Sequence, residues 1–77
     1  GDVDDKEQAK HLKIVVNAVL EEGNFDEARR AAEVARDDKE QAKLLKIVFD
    51  AALKEGNFDE ALLAAKAVRD DTDEQGF

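Results

Sequence analysis

The segment EGNFDEA stands at Glu22–Ala28 and again, unchanged, at Glu55–Ala61, 33 residues further on. Its residues read as instructions to the backbone. Gly23 and Gly56 can adopt the left-handed conformation that ends a helix. Asn24 and Asn57 follow as N-caps, and Glu27 and Glu60, three residues on, complete the capping-box spacing. Phe25 and Phe58 are expected to anchor the next helix in the core. Asp26, Glu27, Asp59 and Glu60 suit the positive end of its dipole. Ala28 and Ala61 let two helices approach closely. The segment spells a stop, a cap, an anchor and a close approach, and nothing in it requires chemistry.

The duplication extends outward from this turn. DDKEQAK at Asp4–Lys10 returns at Asp37–Lys43, and LKIV at Leu12–Val15 returns at Leu45–Val48. Between residues 4–36 and 37–69, 10 of 33 positions differ and 23 are identical. A period of this length marks a stacked repeat. Each copy reads as a long helix, a tight turn and a shorter helix. The expected helices are 6–22, 25–36, 39–55 and 58–70. Asp5 to Gln8 and Asp38 to Gln41 fit a capping box, in which a good N-cap is worth about 1 kcal/mol over alanine. The tail DDTDEQGF from Asp70 resembles the start of a third copy. The chain is thus one all-helical domain over 1–77, with repeats 4–36 and 37–69 and a truncated third unit over 70–77.

Composition agrees. Pro, Cys, Met, Trp and Tyr are absent from the 77 residues, and helix formers dominate. The fold class is all-α: four antiparallel helices from two helix-turn-helix repeats, arranged as a stack or a four-helix bundle. Without cysteine there is no disulfide, thiolate metal site or cysteine nucleophile. No apolar run approaches the ~20 residues that span a bilayer, and GDVDDKEQ is not a signal peptide. The chain therefore reads as soluble, with no compartment assigned. A net charge of −8 disfavours nucleic acid and anionic membrane as partners.

The positions that were not copied say most about ends and partners. In the third helix Leu44, Leu45, Ile47, Val48, Phe49 and Leu53 cover most of the circumference, so it should pack on more than one side. The first helix has the same pattern except for His11, where the second copy has Leu44. A polar residue on the outer face of a terminal repeat is a capping device. The rival reading of His11 as a metal ligand or general base lacks a second His, a Cys or a carboxylate in register. Arg29-Arg30 becomes Leu62-Leu63 in the last helix, the reverse of what a terminal helix should show. Three covers are open: the tail folding back with Phe77, closure into a bundle, or a symmetric homodimer through Leu62 and Leu63. The dimer is favoured because the two leucines point about 100° apart.

The turn EGNFDEA resembles the one between the two helices of tetratricopeptide repeats. Ala28 and Ala61 match the family's small residue at the helix crossing, and Leu12 and Leu45 a bulky apolar position. The chain departs from the pattern at Val16 and Phe49, where the family has a small residue, and at Ala32 and Ala65, where it has an aromatic. Asp37-Asp38 stands in place of a terminal proline. The resemblance implies that inward residues of the long helices bind a peptide, here Lys13, Asn17, Lys46 and Asp50. The Asn17/Asp50 mismatch and the short two-repeat groove disfavour a peptide partner.

No catalytic, cofactor or metal residues are expected. The glycines form no phosphate loop. There is no serine or cysteine, and Thr72 and His11 lie at opposite ends of the chain. The acidic clusters at Asp2–Asp5, Asp37-Asp38 and Asp70–Glu74 fall at helix boundaries and lack calcium-loop spacing. The lysine stripe Lys39, Lys43, Lys46 and Lys54 reads as a solvated face. Near-identical repeats, explicit caps and a narrow alphabet point to a de novo or consensus-designed helical repeat. Two function classes follow: a designed structural scaffold that is not an enzyme and self-associates through its last helix, and a small tetratricopeptide-like peptide-binding module.

Overall fold

The structure is a computed structural model that describes residues 2–68, and the side chains of residues 4–68. Among them lie four helices and no strand: α1 Asp2–Glu21, α2 Phe25–Glu33, α3 Asp38–Lys54 and α4 Phe58–Ala67. α1 and α2 form one hairpin, α3 and α4 the other. α3 also packs on α1 and α2, and α2 touches α4, but α1 and α4 do not meet. Each long helix lies beside its counterpart, and so does each short helix. The two hairpins are therefore stacked in register.

Both hairpin turns are made the same way. Gly23 and Gly56 each take φ 76°, and each follows the last turn of a long helix. The Gly23 N–H donates to Leu20 O at 2.9 Å and the Asn24 N–H to Val19 O at 3.0 Å. At the second turn the Gly56 N–H donates to Leu53 O at 3.0 Å and the Asn57 N–H to Ala52 O at 2.8 Å. These paired bonds close carbonyls that a helix end leaves open, and only glycine enters the left-handed region without steric cost.

The helix starts differ from expectation, and the stack explains why. α1 begins at Asp2, so Asp5 lies inside the helix and does not cap it. Its carboxylate instead pairs with Arg36 Nε at 3.1 Å, and Gln8 Oε1 accepts from the Arg36 N–H at 2.9 Å. α3 does follow a turn, and its N-cap is Asp37 and not Asp38. The Asp37 carboxylate accepts from the N–H groups of Lys39 at 2.8 Å and Glu40 at 3.1 Å. α2 stops at Glu33, three residues short of the expected end. The Val34 and Ala35 N–H groups shift to Ala31 and Ala32 O at 3.2 Å, a tighter turn. The Asn24 side chain accepts from the Glu27 N–H at a long 3.5 Å, whereas Asn57 makes no side-chain cap bond.

Gln41 does not reach back to its own N-cap. It is 1% exposed, and its Nε2 donates to Glu33 O at 3.2 Å. It thereby closes one of the orphan carbonyls of α2. Gln8 and Gln41 hold the α2–α3 connection from both sides, which joins the hairpins through polar contacts at the edge of an apolar core. That core contains Val16, Ala28, Ala32, Ala35, Leu44, Leu45, Val48 and Ala64. Ala28 and Ala61 are buried at the hairpin crossings, as their size requires. Leu44 is 3% exposed against the first hairpin, and its counterpart His11 is exposed. A leucine fully removed from water contributes roughly 1.5–3 kcal/mol, so the exchange of Leu44 for His11 follows the burial of each site.

Phe25 and Phe58 do not both anchor the core. Phe25 is half-buried beside Ala51 and Lys54 of α3. Phe58 is 68% exposed, and no described residue packs over it as α3 packs over Phe25.

Candidate functional site

The features of interest are the two ends of the stack and the groove between the long helices. At the C-terminal end, α3 and α4 enclose an open apolar groove of about 300 Å³, lined by Ala42, Leu45, Lys46, Phe49, Ala65 and Val68. Their counterparts 33 residues earlier are Ala9, Leu12, Lys13, Val16, Ala32 and Ala35. In the first hairpin Ala9 is buried, and Val16, Ala32 and Ala35 are buried in a core completed by Leu44 and Val48 of α3. The groove in the second hairpin is thus the site that α3 fills in the first.

Leu62 and Leu63 are 56% and 42% exposed. α1 does not touch α4, so α1 is not their cover. Phe77 and the acidic residues 70–74 lie outside the described residues. The two leucines have different surroundings. Leu62 corresponds to Arg29, whose guanidinium pairs with Asp26, with Glu33 at 3.1 Å and, through Nε, with Glu60 of α4 at 3.8 Å. Position 29 therefore faces the following hairpin, and Leu62 faces the space beyond the last one. Leu63 corresponds to Arg30, which stays exposed with the second hairpin in place and pairs along its own helix with Asp26 at 3.1 Å.

The N-terminal end is also apolar. Ile14 is 67% exposed and Val15 46%, while the identical residues of the second copy, Ile47 and Val48, are half-buried and fully buried. Sequence reasoning recognised His11 at this face but missed Ile14 and Val15. The signal was present: apolar residues copied unchanged onto the first helix of the pair.

The four residues of the tetratricopeptide resemblance are all exposed. Lys13 lies with Lys6, Lys10 and Lys43 along a groove of about 310 Å³ between α1 and α3, with Glu40 among them. Lys46 lines the apolar C-terminal groove, with Nζ 3.6 Å from Asp50. Neighbouring carboxylates lie near two of the groove lysines, Glu7 at 3.6 Å from Lys10 and Glu40 at 3.7 Å from Lys43.

Among the described residues no three His, Asp or Glu side chains converge as metal ligands would. Among them, too, no helix is long and apolar enough to cross a membrane. No protein-family model matches the chain, and comparison with curated proteins and with solved structures finds no match.

Proposed function

We propose that this protein is a designed structural scaffold: one helix-turn-helix unit used twice, with no natural biochemical activity, associating with its own copies through the last helix. The carrying observation is where polarity lies. Among the described residues Gln41 is the one buried polar side chain, and it closes a helix end instead of lining a cavity. The near-identity of the repeats and the narrow alphabet support a designed origin. The exposed Phe58 and Leu62 support association, since an apolar surface of this kind marks contact sites. A thermal melt with added peptides tests the reading. A scaffold melts cooperatively at an unchanged temperature, and a gain that grows with peptide concentration overturns it.

A second reading is a tetratricopeptide-like peptide-binding module. The observation that favours it is the α1–α3 groove, where Lys6, Lys10, Lys13 and Lys43 face one opening. A short peptide with an acidic C-terminus is the matching ligand. On this reading that peptide raises the melting temperature, and Lys13→Ala reduces the gain.

A further inference from the structure

The internal seam between hairpins has two halves. One is the groove of the first hairpin, where Val16, Ala32 and Ala35 are buried. The other is the face of α3 that carries Leu44, Ile47, Val48 and Ala51. Because the unit occurs twice, the chain also carries a second copy of each half that no described residue covers. The unused groove is the opening of about 300 Å³ between α3 and α4. The unused face is His11, Ile14, Val15 and Ala18 of α1, all exposed, and three of the four are identical to their counterparts on α3.

We propose that these halves pair between copies: α1 of one chain seats in the α3–α4 groove of the next, in the register that α3 adopts on the first hairpin. This rests on the reading of the protein as a self-associating scaffold and specifies a head-to-tail contact in place of a two-fold one. A similar pairing of apolar faces already holds the two hairpins together, with Phe49 and Val68 standing in the second groove where the first has Val16 and Ala35. Ile14 and Val15 enter the positions of Ile47 and Val48. Leu62, in the position of Arg29, faces the incoming Glu27, which corresponds to Glu60. Leu63, like Arg30, stays outside the seam. Such a contact uses different surfaces on its two sides, so it leaves a free face at each end and continues to grow. The charge of −8 on each chain opposes growth, and added salt relieves that repulsion.

Light scattering coupled to size exclusion, from micromolar to millimolar chain, tests the proposal. The expected mass rises with concentration and passes that of a dimer. Ile14→Lys with Val15→Lys blocks the head, and Ala65→Arg blocks the groove; circular dichroism confirms that both variants remain helical. Each alone is monomeric, and an equal mixture restores a dimer and nothing larger, because one intact head meets one intact groove. Two further variants leave buried residues untouched. Leu62→Arg keeps association, since its guanidinium meets Glu27 of the partner copy as Arg29 meets Glu60. His11→Leu, which copies Leu44, tightens association about tenfold by adding a buried leucine. A parent chain that stays monomeric to millimolar concentration overturns the proposal. So does a mixture that fails to complement. A dimer that Leu62→Arg dissociates and the head variant does not is a two-fold pair through α4; it overturns the head-to-tail contact and leaves self-association standing. The peptide melt reads the scaffold assignment separately.

Discussion

The two hairpins are nearly one sequence, yet they occupy different environments. Val48 is fully buried and Val15, the same residue one unit earlier, is 46% exposed. Phe25 is half-buried and Phe58 is 68% exposed. α3 touches three helices and α1 two. The direction of exposure is consistent. In the first hairpin the face toward the N-terminus is open, and in the second the face toward the C-terminus. Identical side chains thus contribute different free energies, because burial belongs to a position in the stack and not to a residue type.

The comparison breaks most sharply at the residues that differ. Leu44→Ala removes a buried leucine and should cost about 2–5 kcal/mol, read as a fall in the urea midpoint. His11→Ala, at the matching exposed site, should stay within about 0.5 kcal/mol. Similar costs at the two positions would mean that the hairpins are not stacked as described.

The turns test what the copies share. At Gly23 and Gly56 an added Cβ would meet no other side chain or backbone, so alanine strains only the left-handed backbone. Each Gly→Ala substitution should cost about 1–2 kcal/mol, and the two losses should agree within about 0.5 kcal/mol. Unequal losses would show that tertiary packing, and not the local turn, sets the geometry.

The smallest effect probes the polar edge of the seam. Arg29 Nε and Glu60 Oε1 are 3.8 Å apart, beyond hydrogen-bond reach, and both atoms are buried although the rest of each side chain is partly exposed. A double-mutant cycle with Arg29→Ala and Glu60→Ala should give a coupling below about 1 kcal/mol that weakens in salt. A coupling of several kcal/mol would mean that the two groups close to a direct hydrogen bond in solution.

Legibility followed the range of the interactions. The four helices and both glycine stops were readable because their bonds close within six consecutive residues. The caps were read less well, although they too are local. DDKEQ has two aspartates in a row, and which of them caps depends on how the chain leaves the preceding helix. At Asp37 the preceding turn decided it, whereas Asp4 and Asp5 lie inside α1, which starts at Asp2. Gln8 and Gln41 were read as local reach-back residues, and both instead serve the connection between hairpins. The open ends were half legible. His11 and Leu62 stood out because they broke the repeat, while Ile14 and Val15 were overlooked because they preserved it.

The sequence by itself determined where each helix turns, which side of each long helix is apolar, and that one unit was used twice. Those properties follow from backbone sterics and from the angular spacing of side chains, which each copy carries whatever surrounds it. Only the tertiary structure decided which of two equivalent faces is buried, which aspartate caps α3, and that the last groove and the first helix each present an unpaired half of the internal seam. Those outcomes depend on a neighbouring hairpin being present on one side and absent on the other, and two copies of the same residues carry no local record of that difference.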